Sequence, residues 1–140
     1  MKSKTINTKS EARNSKQIQS TKIQNSKQYD LEERTFLFAK NARDFVRKLP
    51  KTISNIEDGK QLIKASGSVG GNYIEANEAL SKKDFVMRIK ICRKEAKESR
   101  YWLRLIDVQG EQQLEREQRD LQQEATELMN IFGSILHKSE

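Results

Sequence analysis

The residues with which this 140-residue sequence could do chemistry are few: carboxylates at Glu75 and Glu98, a thiol at Cys92, an imidazole at His137, and the glycine-rich stretch KASGSVGGNYIEANEAL from Lys64 to Leu80. A loop that cradles phosphate follows a strand and, in its Walker form, places Lys and then Ser or Thr after the last glycine. Here GKQLIKAS, with the periodicity of a helix, precedes the glycines, and Asn-Tyr-Ile-Glu follows Gly71. GSVGGN also fails the G-x-G-x-x-G spacing of a dinucleotide fingerprint, so the phosphate loop is rejected. Glu75 and Glu98 could pair as general acid and base, but neither a nucleophile nor a second catalytic residue type accompanies them. A carboxylate-bridged metal pair asks for Glu-x-x-His on facing helices, and His137, the one histidine, stands among the last residues. One cysteine excludes an internal disulfide and a multi-cysteine zinc site, and its apolar helical context makes it a reduced, buried thiol. No catalytic residue, metal or cofactor is expected, and the chain does not read as an enzyme.

The glycines then need another reason. The apolar period Leu62, Ala65, Val69, Tyr73, Ala76, Leu80 runs straight through them, which keeps Gly67, Gly70 and Gly71 inside a helix. Each interior glycine costs about 1 kcal/mol relative to alanine. Close approach of another backbone offsets such a loss, so the three, with Ser66 and Ser68, are expected to form a smooth packing patch toward another helix of the same chain or of another subunit. Asn72, Glu75, Glu95 and Glu98 fall near buried stripes, with Arg88 seven residues before Glu95. These are expected to form a buried polar network with Arg43, Arg88 or Arg100 that fixes helix register or subunit contacts.

A second constellation is electrostatic. Projected at about 100° per residue, Lys82, Lys83, Lys90, Arg93, Lys94, Lys97, Arg100 and Arg104 fall in one sector, Tyr101 sits within it, and Asp84, Glu95 and Glu98 lie outside. Such a basic stripe is a footprint for a phosphate backbone. Its strongest candidates for contact are Lys83, Lys90, Arg93, Lys94, Lys97 and Arg104. The competing explanation is that these cations face the acids of the segment that follows: Glu111, Glu115, Glu117, Glu124 and Glu127.

The elements that position these groups follow from punctuation and period. One proline, six glycines and 34% charged residues leave few turns, which favours long helices over many short strands. Residues 1–29 are Ser, Thr, Asn, Gln and Lys, with NSKQ twice, and read as a disordered basic low-complexity tail. Residues 1–30 carry seven Lys/Arg against two Asp/Glu, while residues 31–140 carry twenty against eighteen. Most of the net +7 therefore belongs to the tail. A first helix from Asp30 buries Leu31, Phe38, Ala42, Phe45 and Leu49, leaves Phe36 pointing away, and ends at Pro50. The second spans about Ser54 to Leu80. The third opens with the capping spacing of Ser81 and Asp84 and runs to about Val108, where Gln109-Gly110 breaks it. The fourth covers Glu111 to Leu136 with Leu114, Leu121, Ala125, Leu128, Phe132 and Ile135 on heptad-like positions. The fold class is all-α, an antiparallel up-down-up-down four-helix bundle over residues 30–136, with 137–140 as a C-terminal tail. No run is long and apolar enough to cross a membrane, and the first residues lack the apolar core of a signal peptide. A cytoplasmic protein without membrane partners is expected.

At these residues a resemblance enters. SVGGNYIEANEALSKKDF followed by RKEAKESRYWLRLI resembles the four-helix bundle proteins encoded in intervening sequences of large-subunit ribosomal RNA genes. Ser68, Val69, Gly70, Gly71, Asn72 and Glu75 match the first motif of that family, Ser81, Asp84 and Phe85 the second, and Glu98 the third. Ala76 departs from the glycine that many members carry. The resemblance implies a homopentameric ring without enzymatic activity, and a related branch serves as the accessory protein of diversity-generating retroelements, working with a reverse transcriptase and nucleic acid. The expectation is thus a non-enzymatic oligomer that binds RNA or DNA non-specifically through the third helix. The alternative is a protein-interaction scaffold, for example for a reverse transcriptase, without nucleic-acid contact.

Overall fold

A computed structural model describes the backbone of residues 20–140 and the side chains of residues 31–140. The chain divides between Glu33 and Arg34 into two compact units. Most of the tail expected over residues 1–29 lies outside the described residues, and α1 is already helical from Ser20. The described residues contain four helices and no strand: α1 Ser20–Arg47, α2 Ile53–Asn77, α3 Lys82–Leu105 and α4 Gln112–Lys138.

The starts of α2, α3 and α4 each have a local cause. Thr52 in extended backbone accepts from Asn55 N (3.1 Å) and starts α2. Ser81 accepts from Asp84 N (3.1 Å) and starts α3, so the capping spacing read in the sequence is present in the structure. The Glu111 carboxylate accepts from Leu114 N (2.8 Å), which makes Glu111 the cap of α4 rather than its first helical residue. Such caps are worth about 1 kcal/mol each. The turn between α3 and α4 uses left-handed backbone at Gln109 (φ 55°) and Gly110 (φ 75°), and Asp107 Oδ1 accepts from Gln109 N at 2.9 Å.

The core is the set of stripes the period predicts. From α1 come Phe38, Ala42 and Phe45, with Leu49 just beyond it, and from α2 Leu62, Ala65, Val69, Tyr73 and Ala76. Ile89, Cys92, Ala96 and Leu103 come from α3, and Leu114, Leu121, Ala125, Leu128 and Phe132 from α4. Tyr73 and Phe132 meet across the interior with ring centroids 6.0 Å apart. Two stripe ends differ from expectation. Leu80 is fully exposed because α2 stops at Asn77, and Ile135 is only partly covered near the end of α4. The third helix ends at Leu105 rather than Val108, yet Ile106 and Val108 still tuck into the core.

Polar bonds join neighbouring helices around this core. Arg34 on α1 makes a two-pronged bond to Glu124 on α4 (2.7 and 3.0 Å) and reaches Glu127 at 3.1 Å. Lys48 pairs with Glu117 at 2.7 Å. Arg88 on α3 donates to Asn72 on α2, and Arg100 donates to Thr126 on α4. The result is a four-helix bundle.

Candidate nucleic-acid interface

All six contact candidates of the α3 stripe lie on the surface: Lys83, Lys90, Arg93, Lys94, Lys97 and Arg104 are exposed, as is Lys82, while Arg100 is half-buried. The helix that carries them is fixed by Ile89, Cys92, Ala96, Ser99 and Leu103, which are buried on its opposite side. Arg93 lies along α4, its Nε 4.0 Å from where a Cβ on Gly133 would stand. Lys94 marks one edge of the stripe, with Glu95 at 3.7 Å and Glu98 at 4.0 Å. Tyr101, exposed within the stripe, stacks edge-on to Trp102 at 5.0 Å.

The acids of α4 do not neutralise this stripe. Glu117 turns to Lys48, just beyond α1, Glu124 and Glu127 turn to Arg34 of α1, and Glu111 is spent on its own helix start. Among the described residues, no ion pair links the α3 stripe to α4.

The five residues expected to form a buried polar network are not brought together within the chain. Asn72 and Arg88 do meet: Arg88 Nη1 donates to Asn72 Oδ1 (3.0 Å), and Asn72 Nδ2 donates to Ser68 O (2.9 Å). Glu75 and Glu98 are exposed, and they line two different hollows, one of about 730 Å³ and one of about 200 Å³. Their positions fall on the outer edges of α2 and α3, a little past the buried stripe. Glu95 is half-buried; burial pushes its carboxyl upward, Glu98 adds to that, and Lys94 opposes it.

The three motif glycines lie inside α2, so the helix passes through them unbroken. They do different things. A Cβ on Gly70 would stand 3.0 Å from Thr35 Oγ1 and 3.6 Å from the Thr35 carbonyl carbon, a close approach of α1 to α2. Gly67 lies under the Arg43 guanidinium, 3.2 Å from such a Cβ, and Gly71 has nothing within 4 Å.

This architecture and motif set match the family described as 23S rRNA-intervening sequence protein over residues 27–134. The chain belongs to that family. Among solved structures, it is similar to a Bacteroides thetaiotaomicron VPI-5482 protein of unknown function from the S23 ribosomal protein family. The two are 27% identical with a TM-score of 0.62, over 75% of this chain and 96% of the other. Comparison with curated proteins finds no match.

In this member of the intervening-sequence family, two polar residues hold the helix ends in ways that the sequence reading missed. Asn55, 2% exposed, donates to Pro50 O (3.1 Å) and Asp107 O (2.8 Å) and accepts from Asp107 N (3.0 Å). Gln118 donates to Leu103 O and Ile106 O, both at 2.8 Å, and so satisfies the last carbonyls of α3. Neither carries a spacing signal, because each acts between segments far apart in sequence. Asn55→Ala should cost about 2–3 kcal/mol, since it strands Asp107 N and two carbonyls. Urea unfolding of the variant against the parent protein measures this.

Cys92 is fully buried, and that burial pushes its thiol up to about 12 from 9.0. Folding keeps the proton on, so above pH 9 the unfolded chain releases a proton that the folded chain retains. Stability should therefore fall as pH rises from about 9 toward 12, by up to about 1.4 kcal/mol per pH unit. Comparing chemical denaturation at pH 8 and pH 10 with that of Cys92→Ala isolates the effect, because the variant loses that part of the slope.

Proposed function

We propose that this protein works without catalysis, as an oligomeric helical bundle that binds RNA or DNA non-specifically through the α3 stripe. The observation that carries the reading is the exposure of that stripe: six cations on one helix reach solvent. Among the described residues only Lys94 of them is ion-paired, to Glu95 and Glu98 of its own helix, while Glu117 is engaged by Lys48 and Glu124 and Glu127 by Arg34. Lys and Arg that neutralise phosphates release counterions, so affinity comes with steep salt dependence and little base preference. A homopentameric ring, which the family resemblance implies, would repeat the stripe around its rim, and modest contacts per subunit would add through multivalency.

An up-down-up-down order belongs to this proposal. It is supported by Val46 approaching Gly59 while Thr35 approaches Gly70, so that α1 numbers fall as α2 numbers rise. The Asn55 bonds support it further by joining the segment after α1 to the segment after α3.

The test is retention of single- and double-stranded RNA and DNA by the full chain across a salt series, with light scattering for mass. Six phosphate contacts predict a loss of roughly a thousandfold in affinity between 50 and 200 mM salt, at a mass of five times the 16.3 kDa chain. Binding that is absent, or indifferent to salt, overturns the nucleic-acid reading.

A second reading is favoured by a separate observation. Phe36, Ile56, Ile74 and Met87 are between 43% and 59% exposed, which places large apolar side chains from α1, α2 and α3 at the surface. A scaffold for another protein, such as a reverse transcriptase, would use them. Co-purification of a protein with an absorbance ratio free of nucleic acid supports that reading instead.

A further inference from the structure

A broad hollow lies away from the α3 stripe, between α1, α2 and α3, and three cations converge on it from three helices. Arg43 comes from α1, Lys64 from α2 and Arg88 from α3, with Glu75 the single carboxylate in the lining. The hollow is an open trough of about 730 Å³ whose floor includes Gly67 and Gly71. We propose that this trough binds a phosphate group, seated on the bare helix surface at Gly71, beside the Arg43-covered Gly67, and held by Arg43, Lys64 and Arg88.

Four features of the chain carry the assignment. First, Gly71 has nothing within 4 Å of the place a Cβ would occupy. No part of this chain uses the space that its missing side chain leaves, in contrast to Gly70, which Thr35 fills. Second, Arg88 is positioned in advance. Its Nη1 donates to Asn72 Oδ1, the Asn72 amide is itself oriented by its bond to Ser68 O, and the buried Arg88 Nε has no acceptor. A guanidinium held in this way loses little freedom on meeting an oxyanion. Third, Arg43 donates Nη1 to Ala39 O, which lays the guanidinium over Gly67 and leaves Nη2 at the trough floor. Fourth, the charge matches. Three cations and one carboxylate leave an excess near +2, complementary to a phosphate monoester at about −1.5 to −2 near neutral pH, whereas a single carboxylate leaves part of it unopposed. Lys64 also feels the nearby Glu95, which trims that excess without reversing it.

Two sources present this chemistry: free inorganic phosphate, and the terminal phosphate of a nucleotide or nucleic acid. Trp102, the one tryptophan of the chain, lines the adjoining hollow together with Lys64 and Ser68, both of which also line the trough. Its emission therefore reports occupancy. The experiment titrates the full chain with inorganic phosphate at constant ionic strength set by chloride, following Trp102 emission and heat of binding. It then compares a 5′-phosphorylated with a 5′-hydroxyl oligonucleotide. A saturable phosphate response is expected. Stronger binding of the 5′-phosphorylated strand assigns the site to nucleic-acid ends, and equal binding of the two strands assigns it to the free ion.

Gly71→Glu sets a competing carboxylate on the floor at a helical position with open space, so it should fold and bind phosphate roughly ten- to a hundredfold more weakly. Arg43→Gln, at an exposed position, should weaken binding in the same direction. Replacing Lys90, Arg93, Lys94 and Lys97 with Gln should leave phosphate binding unchanged, which separates this site from the α3 stripe. A parent protein that answers phosphate no differently from chloride, or a Gly71→Glu chain that binds as tightly as the parent, overturns the assignment.

Discussion

Exchanging Lys90, Arg93, Lys94 and Lys97 together for glutamine should flatten the salt dependence of nucleic-acid binding, with the slope of log affinity against log salt falling by about four. At low salt the same change should remove most of the affinity, because each charge lost is a phosphate no longer neutralised. The effect should be nearly equal for RNA and DNA and for different sequences, since backbone contacts carry no base information. The four positions are exposed, and the buried side of α3 is formed by other residues. Stability and assembly should therefore be those of the parent chain, which helical content and light scattering check. The first thirty residues keep their own excess of five positive charges, so some residual binding is expected, and the change in slope is the informative quantity. An unchanged slope would remove the stripe from the mechanism.

Valine at Gly70 should destabilise the bundle by about 3 kcal/mol, whereas alanine at the adjacent Gly71 should stabilise it by about 1 kcal/mol. The opposite signs follow from what each Cβ meets. At Gly70 it would stand 3.0 Å from Thr35 Oγ1 and 3.2 Å from Thr35 Cβ, with the α1 backbone behind them. Thr35 is buried, so it has little room to withdraw, and the branched methyls of valine push further the same way. At Gly71 the Cβ meets nothing, and only the helix preference of alanine is felt. Thermal unfolding of both variants measures the pair, and a drop in Tm for Gly71→Ala would show that another surface occupies that space in solution.

The helices and most of the core could be read from the sequence because one signal governs both: apolar residues at three- and four-residue steps with caps between them. Phe38, Phe45, Leu62, Val69, Leu128 and Phe132 are buried where that period puts them. The period loses its authority at helix ends, where one turn's difference moves Leu80 from core to solvent. The stripe on α3 was also visible, since eight cations on one helix need only a helical projection to line up. What the projection could not tell was how the polar positions next to the core are used. Asn72 finds Arg88, while Glu75, one turn further on α2, and Glu98, further along α3, are exposed. Likewise, the glycines looked alike in sequence, yet Gly70 answers to Thr35, Gly67 to Arg43, and Gly71 to nothing in the chain. Gly59, not singled out by any motif, approaches Val46 as closely, at 3.0 Å. Such differences depend on which neighbour lies opposite, and that is set by the register between helices.

The bonds of Asn55 to Pro50 and Asp107 tie together the segments that follow α1 and α3, and in the proposed up-down-up-down order the segment from Asn77 to Lys82 makes the single crossing at the opposite end. Amide protons should therefore exchange with deuterium more slowly around residues 50–56 and 105–108 than around residues 77–82, so the bundle breathes from the Leu80 end. A partner that recognises the exposed Leu80 tip meets the part of the fold most able to adjust its shape on contact.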